Sequence, residues 1–297
     1  MLKTLRDALR IKEVRFRIFY VILALIIIRA GSQIPVPGVD TSFFSEYFAS
    51  ATNDAFNFLD AFTGGGFTNF SIFALSITPY ITASIIVQLL TIAIPKLEEM
   101  QKDGEQGRKK LEKITRISTI ALSIIESVAM CIGFGNRLIL EMNFIHVVTV
   151  VACLTAGSAF LMWIGEQITE KGVGNGISIV LLINILSRIP ADMRTLYDNF
   201  VNGKTIAWAT LAWIIIAIVI IFVVILVLIL NGAERRIPVQ YSKKMVGRKQ
   251  YGGQSSHIPL KVNTAGVIPI IFAASIMSFP SIIIRLQEQS LEGQEPL

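Results

Sequence analysis

The sequence predicts an all-α protein, a polytopic bundle of helices that cross a membrane, and three observations support this prediction. First, 53% of the 297 residues are hydrophobic and 16% are charged, whereas an ordinary soluble domain carries about 25% charge. Second, several uncharged windows reach the roughly 20 residues that a helix needs to cross a bilayer. Third, lysine and arginine are concentrated in alternate segments between those windows. This pattern is typical of a membrane protein and not of a globule with one core.

Seven membrane spans are predicted from the apolar windows. Four of these windows contain no charged residue, namely 71–94, 142–165, 205–233 and 262–284. Three weaker windows are 18–34, which contains Arg29, 117–136, which contains Glu126, and the short window 172–187. In the second span, Pro79 lacks a backbone donor and is expected to kink the helix.

The distribution of positive charge predicts the orientation of the chain. Most of the 27 lysines and arginines lie before residue 18, in 95–116 or in 234–261, and none lies between Arg29 and Lys96. Positive loops stay on the cytoplasmic side, so we expect the N-terminus to be cytoplasmic. The first residues lack the small-residue cleavage site of a secretory signal, so we expect the first span to be retained.

Two of the basic segments, 95–116 and 234–261, are long enough to bind a partner. The second contains RR, KK and RK pairs among tyrosines and glycines, a composition compatible with a nucleic-acid surface. Positive charge alone also sets topology and contacts lipid headgroups, although topology needs only a few positives near the span ends. Both interpretations remain open from the residues alone.

Few polar residues inside the spans are candidates for a functional site. Glu126, His146 and Arg29 are the ionisable ones, and such residues are functional candidates by default. Glu126 is equally compatible with a structural role facing the bundle, and Arg29 with snorkelling to the interface. Cys131 and Cys153 are expected to be small buried hydrophobic residues.

The stretch FTGGGFTNFS at 62–71, two pairs of aliphatic residues and one further isoleucine remain to be explained. Each glycine disfavours a helix by about 1 kcal/mol relative to alanine, so a stable helix is not expected in the segment ahead of the second span. Ile77 and Ile81 lie four residues apart, as do Ile177 and Leu181, and Ile271 lies near Pro269. Taken alone, such a spacing is typical of ordinary packing against lipid or other helices.

Several longer motifs extend across the chain. They read SIFALSITPYITASIIVQLL, EQITEKGVGNGISIV, ERRIPVQYSKK and HIPLKVNTAGVIPIIFAASI, supported by IPVPGVD and DGEQGRKKLEKITR. Together they resemble the SecY family, the channel subunits of the bacterial protein translocase. The likeness runs from residue 3 to about residue 284. The family has ten helices in two halves of five, whereas this chain stops after the seventh predicted span, so it looks incomplete and we expect no regulated channel from it alone.

The resemblance implies roles for the glycine-rich segment and for the aliphatic pairs. Residues 58–70 would be a plug that fills the outer half of the pore at rest, here called the candidate plug. Its implied plug residues are Phe62, Gly64, Gly65, Gly66, Phe67 and Phe70. The implied pore ring consists of Ile77, Ile81, Ile177, Leu181 and Ile271, an apolar constriction that would gate by dewetting. A lateral gate would lie between the second and seventh helices.

The resemblance also implies partners. The segment between helices six and seven would meet the ribosome or the SecA motor through Arg235, Arg236, Lys243, Lys244, Arg248 and Lys249. SecE and SecG would be companion subunits in the bacterial cytoplasmic membrane, and signal sequences and unfolded secretory proteins would be substrates. No cofactor and no catalysis are implied, and no nucleotide-binding motif of the G-x-x-x-x-G-K-[ST] type occurs.

This interpretation predicts a division of the chain and leaves two alternatives. The division is a cytoplasmic N-terminus (1–17), a first five-helix half (18–190), helices six and seven (191–284) with a cytoplasmic loop at 231–262, and a polar tail (285–297). One alternative is a secondary transporter with proline-broken helices, although isoleucine beside both prolines favours a channel. The other is the accessory SecY paralogue of some Gram-positive bacteria.

Overall fold

The chain is mostly helical in a computed structural model, so the predicted all-α class is confirmed. The structure describes residues 10–40, 60, 62–134, 143–203, 206–239, 244–246, 249–251, 256–264, 266 and 273. The helices are α1 Lys12–Gly31, α2 Thr78–Ala93, α3 Pro95–Lys102, α4 Gly104–Phe134, α5 Phe144–Lys171, α6 Gly176–Phe200 and α7 Ile206–Gly232. Four short strands follow, β1 Glu234–Val239, β2 Lys244–Val246, β3 Lys249–Tyr251 and β4 Ser256–Lys261.

Within the described residues, four helices are long and apolar enough to cross a membrane, namely α4, α5, α6 and the Trp208–Gly232 part of α7. A fifth span is possible if α2 and α3, which are bent by 104° at their junction, count as one. Charged residues at both ends of α1 explain why its composition does not identify it as a span. The predicted seventh span, 262–284, lies largely outside the described residues.

The prediction that Pro79 kinks the second span is wrong. The helix begins only at Thr78, so that Pro79 lies in its first turn, where the missing N–H has no intrahelical partner to lose. Residues 71–77 form turns instead of helix. The sharp bend occurs further along, at Ile94 and Pro95, where the extended backbone of Ile94 separates α2 from α3.

Helix α6 extends well beyond the predicted window 172–187. It runs from Gly176 to Phe200 and contains Pro190. Hydropathy indicates where the apolar side chains end, and in this helix the helical backbone continues beyond that point. At its start, the side-chain oxygen of Asn175 accepts a hydrogen bond from the backbone N–H of Ile177 at 3.1 Å, and Thr169 accepts one from Gly176 at 2.8 Å.

The described residues up to Ala191 form one compact unit with two hydrophobic clusters. The first cluster surrounds Phe70, Val150 and Leu154, and the second surrounds Ile28 and Leu161. Helix α5 takes part in both clusters, and α4 packs against α2 and α5. The core therefore lies around α5, where the connection between α1 and α2 also packs.

The unit Asp192–Ile271 contains an apolar helix and two strand pairs. The large apolar side chains of α7 from Trp208 onwards are exposed, as expected of a helix that faces lipid. Strands β1 and β4 pair antiparallel, with Arg236 opposite Pro259, and β2 pairs with β3. The sequence analysis treated 234–261 as a loop and did not predict these strands.

Candidate functional site

The connection from α1 to α2 is a packed segment that leads directly into the start of α2. The backbone N–H of Val36 donates to the carbonyl of Phe70, and that of Ile72 to the carbonyl of Ile34, each at 3.0 Å. Phe70 is fully buried, and Phe67 is 7% exposed. Phe67 and Phe70 of the candidate plug thus serve as core residues of the first unit. Residues 58, 59 and 61 of the candidate plug lie outside the described part of the chain.

Gly64 meets two separate structural requirements. Its φ of +65° lies in the left-handed region that favours glycine. A Cβ at this position would also lie only 2.8 Å from the Arg29 guanidinium, from the carbonyl oxygen of Asn184 and from the hydroxyl of Ser187. The glycine therefore permits close approach of the candidate plug to α6, in addition to the weakening of helix that the sequence analysis predicted.

A buried ion pair joins the candidate plug to α6. The carboxylate of Asp60, whose side chain is 2% exposed, contacts the guanidinium of Arg188, whose side chain is 21% exposed. The same carboxylate accepts hydrogen bonds from the backbone N–H of Thr68 at 3.1 Å and from the hydroxyl of Thr63 at 3.2 Å. The sequence analysis missed this pair. The hints in the sequence are an aspartate shortly before the three glycines and an arginine directly after the predicted span 172–187.

Polar side chains attach the candidate plug at two further places. The amide of Asn184 donates to the carbonyl of Phe62 and to the hydroxyl of Ser76, both at 3.2 Å. Arg29 donates to the carbonyl of Gly64 at 3.3 Å, so it does not act only as a snorkelling residue. Ser76 has a φ of 52°, an unusual conformation for a residue other than glycine.

Four of the five residues of the implied pore ring come together in the second hydrophobic cluster. Ile77 is fully buried, while Ile81, Ile177 and Leu181 are partly buried and pack against the same cluster. Ile77 immediately precedes α2, Ile81 lies in the first turn of α2, and Ile177 and Leu181 lie on α6. The fifth, Ile271, lies outside the described residues. The four aliphatic side chains therefore share one cluster, whose first member, Ile77, follows the candidate plug closely along the chain.

Four of the six residues proposed to bind a ribosome or motor lie in described strands. Arg235 and Arg236 lie on β1 and are exposed, Lys244 lies on β2 and Lys249 on β3. Lys243 and Arg248 lie outside the described residues. In β4, Lys261 stands opposite Glu234. The strand pairing thus places Arg235 and Arg236 on an ordered two-stranded ribbon.

Metal-ligating residue types and the two cysteines were the next candidates for a functional site. Within the described residues, no group of three or more histidine, cysteine, aspartate or glutamate side chains could hold a metal ion. Cys131 is buried, as predicted, Cys153 is partly buried, and neither forms a disulfide. Between α4 and α5, Arg116 donates to Glu166 at 2.7 Å, a contact that the sequence analysis did not anticipate.

On the predicted cytoplasmic side, α3 carries an exposed ion pair. Lys102 donates to the carboxylate of Glu98 at 2.7 Å. This hydrogen bond, together with the charge of Lys102, lowers the pKa of Glu98 below its ordinary value. Because both side chains are exposed, the pair is a surface feature and contributes little to stability.

Comparison with known proteins identifies the class of protein and then the family. The SecY family profile matches residues 71–297. The protein translocase subunit SecY of Halalkalibacterium halodurans is 44% identical over 292 residues, which cover 96% of this chain and 67% of the relative. The fold resembles Sec61 in the canine ribosome–channel complex from the endoplasmic reticulum, with a TM-score of 0.59 at 17% identity, covering 93% of this chain and 60% of that one.

The fold also resembles a second solved structure, of SecY. In that protein the plug domain stabilises the closed state of the translocation channel and maintains a membrane seal. The TM-score is 0.58 at 18% identity, covering 93% of this chain and 59% of that one. The fold is thus that of a multi-pass protein of the translocation-channel class. The chain belongs to the SecY family. It spans about 60–67% of the length of these relatives.

Proposed function

We propose that the chain forms part of a protein-conducting channel subunit that moves secretory proteins across, and membrane proteins into, the bacterial cytoplasmic membrane. One observation carries the proposal. The packed segment containing Phe67 and Phe70 leads directly into the aliphatic cluster of Ile77 and Ile81 at the start of α2. A plug followed by an apolar constriction is the arrangement that a channel closed to ions requires. The protein is a conduit and not an enzyme.

The chemistry of the aliphatic cluster suits a polypeptide conduit. Apolar side chains offer water and ions no hydrogen-bond partners, so a narrow apolar constriction excludes them by dewetting. The same side chains make no specific hydrogen bonds to a passing chain and so do not select its sequence. Ile81, Ile177 and Leu181 are only partly buried, which leaves part of each side chain available to line a passage. Together with Ile77 and Ile271 they form the proposed ring.

The basic ribbon of β1 and β4 supports a docking role. Arg235 and Arg236 are exposed, and exposed arginines contact phosphate or carboxylate groups through paired hydrogen bonds. We propose a ribosome or the SecA motor as the partner of this ribbon, with SecE and SecG as companion subunits. The Sec61 relative belongs to a ribosome–channel complex, which supports the same kind of partner. This docking requires the N-terminus and the ribbon to be cytoplasmic, as the charge distribution predicts.

The secondary-transporter alternative is less well supported. Transporters place substrate and ion sites at broken helices near the membrane centre, and Pro79 was a candidate for such a break. Pro79 instead lies in the first turn of an intact helix. Ile77 and Ile81, two positions away on either side, are aliphatic and unsuited to binding an ion.

The experiment that tests the proposed function is complementation. The chain is continued with the C-terminal third of the Halalkalibacterium halodurans relative and produced in a bacterium depleted of its own SecY. We expect export of a secretory protein to recover. An extended chain that accumulates in the membrane at the level of the native subunit yet exports nothing contradicts the proposal.

A further inference from the structure

Asp60 and Arg188 link the candidate plug to the unit that it packs against. A buried carboxylate is costly unless it is paired and hydrogen-bonded, and Asp60 meets both conditions through Arg188, Thr68 and Thr63. The aspartate belongs to the segment that would have to move, while the arginine belongs to α6, a continuous helix of 25 residues. The pair therefore connects a turn-rich segment to a regular element.

We propose that the ion pair between Asp60 and Arg188 is a latch that holds the candidate plug in place and sets how readily it leaves. The inference rests on the proposed function, because it assigns a regulatory role at the same site. When the segment withdraws, the carboxylate and the guanidinium separate, and each must be rehydrated or find another partner. Weakening the pair shifts the equilibrium towards the displaced plug.

The other attachments of the segment differ in kind from this pair. Asn184 and Arg29 donate to the backbone carbonyls of Phe62 and Gly64, so these bonds are independent of the plug's side chains. Phe67 and Phe70 pack in the first hydrophobic cluster with Val150. Among the described residues, Asp60 and Arg188 are the only oppositely charged side chains that form an ion pair between the candidate plug and α6. A change of charge at either position therefore acts on the latch and leaves the apolar packing in place.

The carboxylate also connects the latch to the internal order of the plug. Thr68 lies just after the three glycines, and its backbone N–H donates to the Asp60 carboxylate. This hydrogen bond connects the two ends of the glycine turn. The hydroxyl of Thr63, at the start of that turn, donates to the same carboxylate. Loss of the arginine therefore releases one side of an ordered turn, whereas loss of the aspartate charge weakens the turn and the latch together.

Hydrogen exchange measured by mass spectrometry on the full chain in lipid nanodiscs tests the latch without requiring a conducting channel. Amides that open locally exchange in proportion to the population of the open state. Removing one partner of a buried ion pair is strongly destabilising, so we expect Asp60→Asn and Arg188→Gln each to speed exchange of residues 62–72 by at least about tenfold. Exchange in α5 should stay unchanged. The charge-swapped double variant Asp60→Arg/Arg188→Asp restores opposite charges but provides no acceptor at position 60 for Thr63 and Thr68, so it should recover the protection only in part.

Two further variants keep the latch falsifiable if a charge-removing variant does not fold. Arg188→Lys retains the charge and should give exchange between that of the original chain and that of Arg188→Gln. Arg194→Gln removes an exposed arginine from the same helix and should leave exchange of residues 62–72 unaltered. Equal exchange in the original chain, Arg188→Lys and Arg188→Gln overturns the latch. Because exchange does not depend on conduction, a failed complementation with a positive exchange result would count against the proposed function and not against the latch.

Discussion

Gly157 on α5 lies directly against the backbone carbonyl of Ile72, and a Cβ at Gly157 would overlap that carbonyl. Ile72 stands between Phe70 and the start of α2, and it packs against both hydrophobic clusters. The contact joins two backbones with no flexible side chain between them. The position of the connection between the candidate plug and α2 therefore depends on Gly157, which has no side chain and lies more than 80 positions further along the chain.

A methyl group at Gly157 should destabilise the first unit. Overpacking of a close-packed site typically costs about 1–3 kcal/mol, and here a carbonyl group must move because no side chain can yield. We expect Gly157→Ala to lower the midpoint of thermal unfolding in detergent. Gly232→Ala is the matched control, since a Cβ there meets nothing within 4 Å. Equal midpoints for both variants would show that α5 and Ile72 are not in close contact.

The orientation of the chain can be tested by labelling from outside the cell. Cys131 and Cys153 are replaced by alanine, and a single cysteine is introduced at Thr41 or at Lys249. The concentration of positive charge on one side predicts that a membrane-impermeant thiol reagent labels position 41 in intact cells and position 249 only after lysis. Labelling of both positions in intact cells would contradict the predicted topology.

The basic ribbon should bind its partner through charge. In the extended chain, reversing Arg235 and Arg236 to glutamate should reduce the affinity for ribosomes or SecA by about tenfold or more. The effect should be measured at low salt, because salt screens contacts between exposed charges. Sedimentation with membrane vesicles measures the binding, and the original chain should lose affinity as salt rises.

Lysine at both ribbon positions is the control for this reversal. Arg235→Lys/Arg236→Lys keeps the positive charge and should retain most of the binding, although lysine lacks the planar fork of arginine. If the glutamate variant binds as tightly as the original at low salt, the ribbon only sets topology.

Much of the fold follows from the sequence because hydropathy and charge report directly on the membrane. The windows at 142–165 and 205–233 correspond to α5 and α7, although their ends differ. The end of α6 could not be predicted, because its last turns are polar and contain Pro190. The start of α2 was misplaced since an apolar run such as 71–77 is equally compatible with buried turns. The strand pairs of 234–261 lack the alternation of apolar and polar residues that marks a half-buried strand.

The candidate site was predictable only in part. The aliphatic pairs in α2 and α6 follow from a spacing of four residues, and the resemblance gave them a role. The ion pair between Asp60 and Arg188 could not be inferred, because 128 positions separate the two residues along the chain and no local pattern links them. The same holds for the amide of Asn184, which reaches back to Phe62. Such contacts depend on tertiary packing, which a periodicity cannot report.

The pore ring is the central claim, and one substitution tests it with a control on the same helix. In the extended chain, Ile81→Asn should hydrate the constriction, because an amide offers water the partners that isoleucine lacks. Ile86→Asn places the same amide at an exposed position of α2, where it should affect only insertion. Substitutions of Ile77, Ile177, Leu181 and Ile271, made one at a time, extend the test to the rest of the ring.

The decisive measurement is ion conductance of the reconstituted extended channel, compared between Ile81→Asn and Ile86→Asn at equal protein levels. We expect a leak at least about tenfold above the original channel for Ile81→Asn, because the dewetted barrier is lost, and a conductance equal to the original for Ile86→Asn. Export of a protein with a defective signal sequence should rise only in the first variant. The same low conductance in both variants, or an equal leak in both, would contradict the assignment of Ile81 to a pore ring.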